Sequence, residues 1–364
     1  MESIPEHNPE PKPLDHFELN NQNDFLSNLT NRVLLPVSKP TSSSFKFSIS
    51  SYNILAEAFT LKLLFYWVDS IYRKFEYRSK RTILELTNDL SDIICLQELD
   101  HYEDFYKNQF ESLDYESIFH EKGRKGRYRF LKGGVGCLVS FSKKKFDLVE
   151  VKKINYDDYE DIEKTSIEGI IVTLKNKSDN QKIIVANTHT HWHSKDDHVQ
   201  FGQICHLIDE IKIMQKKFDD KDKVPVFICG DFNVEPKSVV LQYLKTPNLS
   251  YEKNVCFLNK LFDKTQKLSS YSKKYINPFI FKSAYDDYLS IAKNNGLEVN
   301  ADYCERTHNH KYSKRVIDYI LFCGDNVGLT DILELPNKRK LGENCPNECF
   351  PSDHIRIKAV FEMK

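Results

Sequence analysis

The sequence predicts an α/β fold with packed sheets. Three observations support this. Apolar runs of strand length recur along the chain, amphipathic runs of helical period lie between some of them, and several strand-like runs follow one another with no helix between. The last feature argues against a strictly parallel Rossmann winding. A chain of 364 residues is enough for one large domain or two ordinary ones with a sizeable core.

Taken in order, residues 1–44 are rich in Pro, Asn and Ser with few periodic apolar positions. They read as a flexible arm, with Leu29 to Val37 the stretch able to dock on a body that runs from 45 to 364. FKFSISSYNIL (45–55) alternates as a strand should. Arg78 to Leu90 carries apolar residues at Ile83, Leu84, Leu86 and Leu90 and reads as an amphipathic helix. SDIICLQEL (91–99) is a strand, and a second helical stretch follows. GGVGCLVSF (133–141), EGIIVTL (168–174) and KIIVANTHT (182–190) are strands, and His198 to Phe218 is a long helix. VPVFICGDF, VIDYILF (316–322) and HIRIKAVF (354–361) complete the strand set. Residues 246–283, rich in Lys, Ser and Tyr, read as an insertion over one face. The lysines at 143–145 read as a solvated strand end. No internal repeat is found.

Composition narrows the function. The 52 Lys+Arg against 53 Asp+Glu give a net charge of -1, so the total carries no nucleic-acid signature, although a local basic rim is invisible to a sum. Hydrophobic content of 40% with 24 Phe and 19 Tyr argues for a folded chain. The N-terminus has no apolar signal-peptide core, and no run approaches membrane-spanning length. Nine cysteines, several inside apolar runs, fit a reducing compartment, cytoplasmic or alternatively nuclear. Cys345 and Cys349 in CPNEC form a candidate metal pair, but two ligands alone do not make a zinc site.

The chemistry sits at strand ends. In VFICGDFNVEP (226–236) an apolar run ends in Asp231, Phe232 and Asn233. If the strand continues past Gly230, period two places Asp231 and Asn233 on one side; the alternative is a turn in which both bond local backbone. Glu98 ends ICLQE, Asn53 follows FSISSY, and His189 follows IIVANT. Asp318 lies inside VIDYILF, where an unpaired carboxylate would be costly. Asp353 and His354 open the last strand. Convergent strand ends would gather these groups in one cleft. Their oxygen-rich character suits Mg²⁺ or Mn²⁺. Zinc is the competitor, because alternation would align His189, His191 and His193 of HTHWH. GRKGRYRFLKGGVG (123–136) lacks a P-loop ending and reads as a solvated basic loop, with phosphate contact by Arg124, Lys125, Arg127 and Arg129 as the alternative.

The ordered set SYNIL, FEYR, IICLQE, NTHTHW, GDFN, VIDYI and SDH resembles the endonuclease/exonuclease/phosphatase superfamily, with the fold of deoxyribonuclease I. It is most similar to the branch of the carbon-catabolite-repression deadenylases, nocturnin and Angel proteins. The resemblance covers about 45–363. It implies a four-layer α/β sandwich, two central mixed β-sheets flanked by helices, and Mg²⁺-dependent cleavage of phosphate esters. It assigns Glu98 as a metal ligand with Asp353 near the metal. Asp231 orients or deprotonates the attacking water, with Asn233 beside it, and Asn53 places Asp231 and the phosphate. His354 contacts the phosphate, Asp318 orients His354, and His189 lies on the phosphate side. Arg78 of FEYR, Ser194, Tyr312 and Ser313 are the substrate-binding candidates.

Two matching positions depart from the deadenylases. Ser194 stands where a proline follows the HWD motif, and Ser313 where a phenylalanine precedes IDYI; both border adenine there. Tyr312 is the aromatic able to replace that wall. The leucine-rich repeats that precede many deadenylase domains are not read in residues 1–44. The expectation is a monomeric 3′-to-5′ exoribonuclease of deadenylase type acting on RNA, with little adenine preference. The alternatives are a nucleotide or terminal-phosphate phosphatase and a non-catalytic RNA-binding module.

Overall fold

Period-two alternation builds the two sheets, and the burial of each strand shows which face it gives to which layer. The computed structural model describes residues 27–39, 45–122, 134–193, 197–218, 224–246, 276–297 and 306–363. In chain order the elements are α1 (Ser27–Thr30), β1 (Leu34–Pro36), β2 (Phe45–Asn53), α2 (Ser70–Arg73), α3 (Phe75–Asn88), β3 (Ile93–Leu99), α4 (Lys107–Ser112), β4 (Tyr115–Glu121), β5 (Gly136–Ser142), β6 (Phe146–Asn155), β7 (Glu168–Asn176), β8 (Lys182–His189) and α5 (Asp197–Gln215). They continue with β9 (Val226–Asp231), α6 (Val239–Lys245), β10 (Lys282–Ser283), α7 (Tyr288–Asn294), β11 (His308–His310), β12 (Ser313–Arg315), β13 (Asp318–Cys323), β14 (Val327–Leu333), α8 (Lys338–Leu341) and β15 (Ile357–Met363).

A seven-stranded sheet has the order β1-β14-β15-β2-β3-β5-β4, and a six-stranded sheet the order β10-β13-β9-β8-β7-β6. Both are mixed: β2 and β3 are parallel, as are β8 and β9, while the other pairs are antiparallel. The sheets face each other across a core that includes Phe47, Ile49, Ile93, Cys95, Val185, Phe227, Cys229 and Phe361. Their alternate neighbours face outward. Ile94 and Leu96 cluster with Ile83 and Leu86 of α3, and Val226 and Ile228 cluster with Ile204, Leu207, Ile208 and Ile211 of α5. The result is helix, sheet, sheet, helix. Each fully buried Ile or Phe in these layers contributes about 1.5–3 kcal/mol relative to an exposed one.

The arm expectation needs correcting in part. Leu29 and Leu35 are buried in the core, β1 pairs with β14, and Arg32 Nη1 reaches Glu85 Oε1 at 3.0 Å inside the protein. Residues 29–37 therefore belong to the body, because Leu29, Leu35 and the Arg32–Glu85 ion pair anchor them to it. The rest of the segment read as the arm, 1–26 and 40–44, lies outside the described residues. Of the segment read as an insertion, 247–275 lies outside as well. Its C-terminal part is body: Phe279 and Phe281 are buried and β10 joins β13. Cys345 and Cys349 lie buried in the core with no disulfide between them.

Candidate active site

The inward face of each central strand ends in a polar residue. Ile49, Ser51 and Asn53 share a face by period two, as do Val185, Asn187 and His189, and Phe227, Cys229 and Asp231. Across the six-stranded sheet, His189 lies directly opposite Asp231, and Asp231 directly opposite Asp318. Cross-strand partners share a face, so one row of the sheet carries an imidazole and two carboxylates. Gly230 permits this row: its φ is 145°, and a Cβ there would sit 1.8 Å from the Thr188 carbonyl oxygen. Only glycine lets β8 and β9 approach so closely.

Glu98 breaks the alternation. Its neighbour Gln97 has the inward parity and donates to Asn187 Oδ1 at 2.7 Å between the sheets. Period two would turn Glu98 toward the helices. Instead β3 carries an extra residue against β5, with a register shift between Leu96 and Leu99, and Glu98 has φ 51°. A bulge of this kind re-aims a side chain. Asn53 Nδ2 then donates to Glu98 Oε1 and to Asp231 Oδ2, both at 3.1 Å, tying the two sheets together at their rim.

The remaining groups come from the last loop. His354 Nδ1 donates to Asp318, 2.9 Å from Oδ2 and 3.1 Å from Oδ1, while its Nε2 stands 3.5 Å from Asp231 Oδ2. Ser352 Oγ donates to the Asn53 carbonyl at 2.7 Å, fixing this loop to β2. His189 Nε2 lies 3.6 Å from Asp231 Oδ2 and 4.0 Å from Glu98 Oε1. Burial opposes a charge on His354, but the carboxylates of Asp318 and Asp231 outweigh it and hold the imidazolium well above its usual range. Burial pushes His189 down to about 4, with Asp231 offsetting only part, so His189 is neutral near pH 7.

Two of the expected placements are corrected. Asn233 is not on the strand, since β9 ends at Asp231. Asn233 has φ 51°, its backbone N–H donates to Asp231 Oδ1 at 2.9 Å, and its side chain donates to the Thr190 carbonyl at 3.1 Å. Asn233 thus lies in a turn, but only the Asp231 side chain bonds local backbone there; that of Asn233 reaches across to Thr190, and the turn keeps it beside Asp231. Arg78 does not present its guanidinium to a ligand. It is buried, and Nη1 donates to the carbonyls of Ile54 and Pro351 at 3.0 and 3.1 Å. It ties the loop after β2 to the loop before His354. Ser313 Oγ accepts from Arg315 Nε at 2.6 Å, and Tyr312 is exposed. Ser194 and the basic loop residues at 124–129 lie outside the described residues.

His308 went unremarked in the sequence. It forms an isolated bridge with His354, the two rings are 4.6 Å apart, and its Nε2 is 3.4 Å from Asp353 Oδ2. The available signal was THNH, two histidines at period two just before VIDYI.

The donor set fits a hard divalent cation. Burial and the charge of Asp353 push the Glu98 carboxyl up to about 7. Asp353 is raised by burial, but the hydrogen bond from His308 and the charge of His354 bring it down to about 2, and its Oδ1 is buried without a partner. A largely buried, destabilised carboxylate and a buried one with an orphaned oxygen both favour a positive charge nearby. Among the described residues, the triads with ligand atoms within 4.8 Å of one another are His308, Asp353 and His354, and Asp231, Asp318 and His354. Neither contains His191 or His193. Strand β8 stops at His189, so the alternation that would have aligned three histidines for zinc does not continue.

Two facing mixed sheets whose rims gather carboxylates, carboxamides and imidazoles define the deoxyribonuclease I-like class. The chain belongs to the endonuclease/exonuclease/phosphatase family, whose profile matches residues 51–354. This is a family of metal-dependent hydrolases of phosphate esters. The chain is similar to the CCR4-Not complex 3′-5′-exoribonuclease subunit Ccr4 of Schizosaccharomyces pombe, 28% identical over 89% of this chain and 50% of that protein. It spans about half the length of the curated relatives it matches. Its fold matches the human Nocturnin catalytic domain at TM-score 0.64 and 21% identity, covering 93% of this chain and 99% of that one. It matches ANGEL2, described as a 2′,3′-cyclic phosphatase, at TM-score 0.72 and 23% identity, covering 91% and 97%. These similarities fall in the branch that the sequence motifs resemble. Among the described residues no helix is long and apolar enough to cross a membrane.

Proposed function

We propose that this chain is a Mg²⁺-dependent phosphoesterase that hydrolyses RNA from the 3′ end in the manner of a deadenylase. The observation that carries this reading is the row His189–Asp231–Asp318 with His354 bonded to Asp318 and Glu98 turned toward it by the bulge. Support also comes from the similarity to Ccr4, a 3′-5′-exoribonuclease subunit of the CCR4-Not complex.

Glu98 and Asp353 would hold the ion, with Mn²⁺ an acceptable substitute. Bound there, it would neutralise phosphate charge and template the attacking water. Asp231 orients that water and draws its proton; Asn53 and the Asn233 backbone N–H fix the two carboxylate oxygens for this task. His354, kept protonated by Asp318 and Asp231, presents Nε2–H to a phosphate oxygen. Neutral His189 supplies a further polar contact on the phosphate side. Tyr312 borders the substrate, and so would Ser313. We place the protein in the cytosol or nucleus, acting as a monomer, consistent with free buried cysteines.

A terminal-phosphate or cyclic-phosphate phosphatase is the second reading, favoured by Ser313, which offers a base almost no stacking surface. Purified protein with Mg²⁺ on poly(A), a mixed RNA, and a panel of nucleotides and 2′,3′-cyclic ends separates the two. Stepwise shortening from the 3′ end supports the exonuclease. Release of phosphate or opening of the cyclic end alone supports the phosphatase. Turnover of none of them at any Mg²⁺ concentration overturns both.

A further inference from the structure

Beside the catalytic rim the chain exposes aromatic rings that the core does not use. The loop between β2 and α2 is anchored from beneath by Phe65 and Val68, 4% and 8% exposed. Tyr66 between them points outward and is 58% exposed, and Tyr312 from the β11–β12 turn is 68% exposed. The two hydroxyls meet at 2.5 Å. Lys311 Nζ donates to Tyr66 Oη at 3.0 Å and stands 4.6 Å from the Tyr66 ring centre, 5.4 Å from Trp67 and 5.7 Å from Tyr312. These rings continue into the site: Trp67 lies 4.7 Å from His310, His310 6.0 Å from His308, and His308 4.6 Å from His354. An unbroken ladder of rings thus leads from the phosphate-handling histidine to an open, singly cationic aromatic surface.

We propose that Tyr66, Lys311 and Tyr312 form a stacking platform for a nucleotide of single-stranded RNA beyond the one whose phosphate is attacked. The proposal rests on the phosphoesterase reading of the adjoining site. Proteins that track single strands combine base-stacking aromatics with cations for the backbone. Both components are present here and both adjoin the cleft. A lipid or protein partner would need neither a lysine among the rings nor continuity with His354. Stacking is base-tolerant because every base has a π-face, so the platform confers a preference for length rather than for sequence. The Tyr66–Tyr312 hydroxyl contact holds the two rings in place before a strand arrives, which reduces the ordering cost of binding.

The test compares kcat/KM on a dinucleotide and on a mixed octanucleotide for the wild type, Tyr66→Ala and Tyr66→Phe. The octanucleotide-to-dinucleotide ratio is expected to fall about tenfold or more in Tyr66→Ala, mainly through KM, and to fall less in Tyr66→Phe, which keeps the ring but loses the hydroxyl contact that holds it. An unchanged ratio, or equal losses at both lengths, overturns the platform. If the wild type hydrolyses neither substrate, the exonuclease reading fails on its own. Fluorescence anisotropy of a labelled octanucleotide in EDTA then decides the platform: weaker binding by Tyr66→Ala than by wild type supports it, and equal binding overturns it.

Discussion

Glu98 shows how one residue can be placed against its own stability for a task. Its carboxyl is raised to about 7 by burial and by Asp353, and its side chain is only 14% exposed. A carboxylate whose folded value exceeds its unfolded value binds protons more tightly when folded. Its contribution to stability therefore falls as pH rises from about 4.3 toward 7. In EDTA at pH 8, Glu98→Gln is expected to be more stable than wild type by on the order of 3 kcal/mol. Added Mg²⁺ should stabilise the wild type but not the variant, since only a state that binds the ion gains from it. Urea denaturation with and without Mg²⁺ checks both; a variant less stable than wild type in EDTA refutes the electrostatic account. The same substitution should abolish Mg²⁺-dependent hydrolysis. Asp231→Asn keeps size and polarity but loses the charge, so kcat should drop by about 10²–10⁴ while KM changes little. A raised KM with unchanged kcat would contradict the proposed role. Asn53, His189, Asp231 and Asp318 were legible in the sequence because each follows or opens an apolar run in step with its inward face. Glu98 was legible as a residue, but the bulge that turns it was not, because φ 51° at a glutamate leaves no compositional mark.

Strand β9 shows the same economy at the scale of an element. Its apolar half is shared between two cores, and its glycine is the contact point with β8. Gly230→Ala would drive a Cβ into the Thr188 carbonyl and force a side chain onto φ 145°. A loss of at least about 2 kcal/mol is expected, with the Tm falling in step with activity. A variant with wild-type Tm would show that the sheet yields there. Arg32→Met tests the N-terminal segment. It removes the partner 3.0 Å from buried Glu85, leaving Arg356 Nε at the longer distance of 3.7 Å, and is expected to cost about 3 kcal/mol by thermal denaturation. The central strands could be read from the sequence because both faces are buried and their runs are apolar. Strands β4 and β6 could not: they lie at sheet edges, and YESIFHE and FDLVEVKKIN put charge on the exposed face. The β11–β12 hairpin was also missed, since three-residue strands carry too little pattern to register.

For the whole molecule, the sheet-on-sheet architecture followed from strand runs without intervening helices, while the number of layers came only with the family resemblance. Substrate choice is likewise a property of the assembled cleft. With Ser313 half-buried against Arg315 and offering no ring, initial rates on oligo(A), oligo(U) and oligo(C) should lie within about tenfold of one another. A strong oligo(A) preference that persists in Tyr312→Ala would refute this. One contact described above also sets a timetable. Ser352 Oγ holds the Asn53 carbonyl across 299 positions of chain, and β15, the last strand, is the antiparallel partner of β2 along its length from Phe45 to Ser51. Synthesis makes β2 early and must wait for almost everything else before it can be completed. Until His354 and its loop have emerged, the cleft lacks the imidazole proposed to meet phosphate and the Ser352 clasp that ties the loop to β2. A chain stopped after residue 350 is expected to show no hydrolysis in a coupled translation assay, whereas a chain carried through residue 364 is expected to be active.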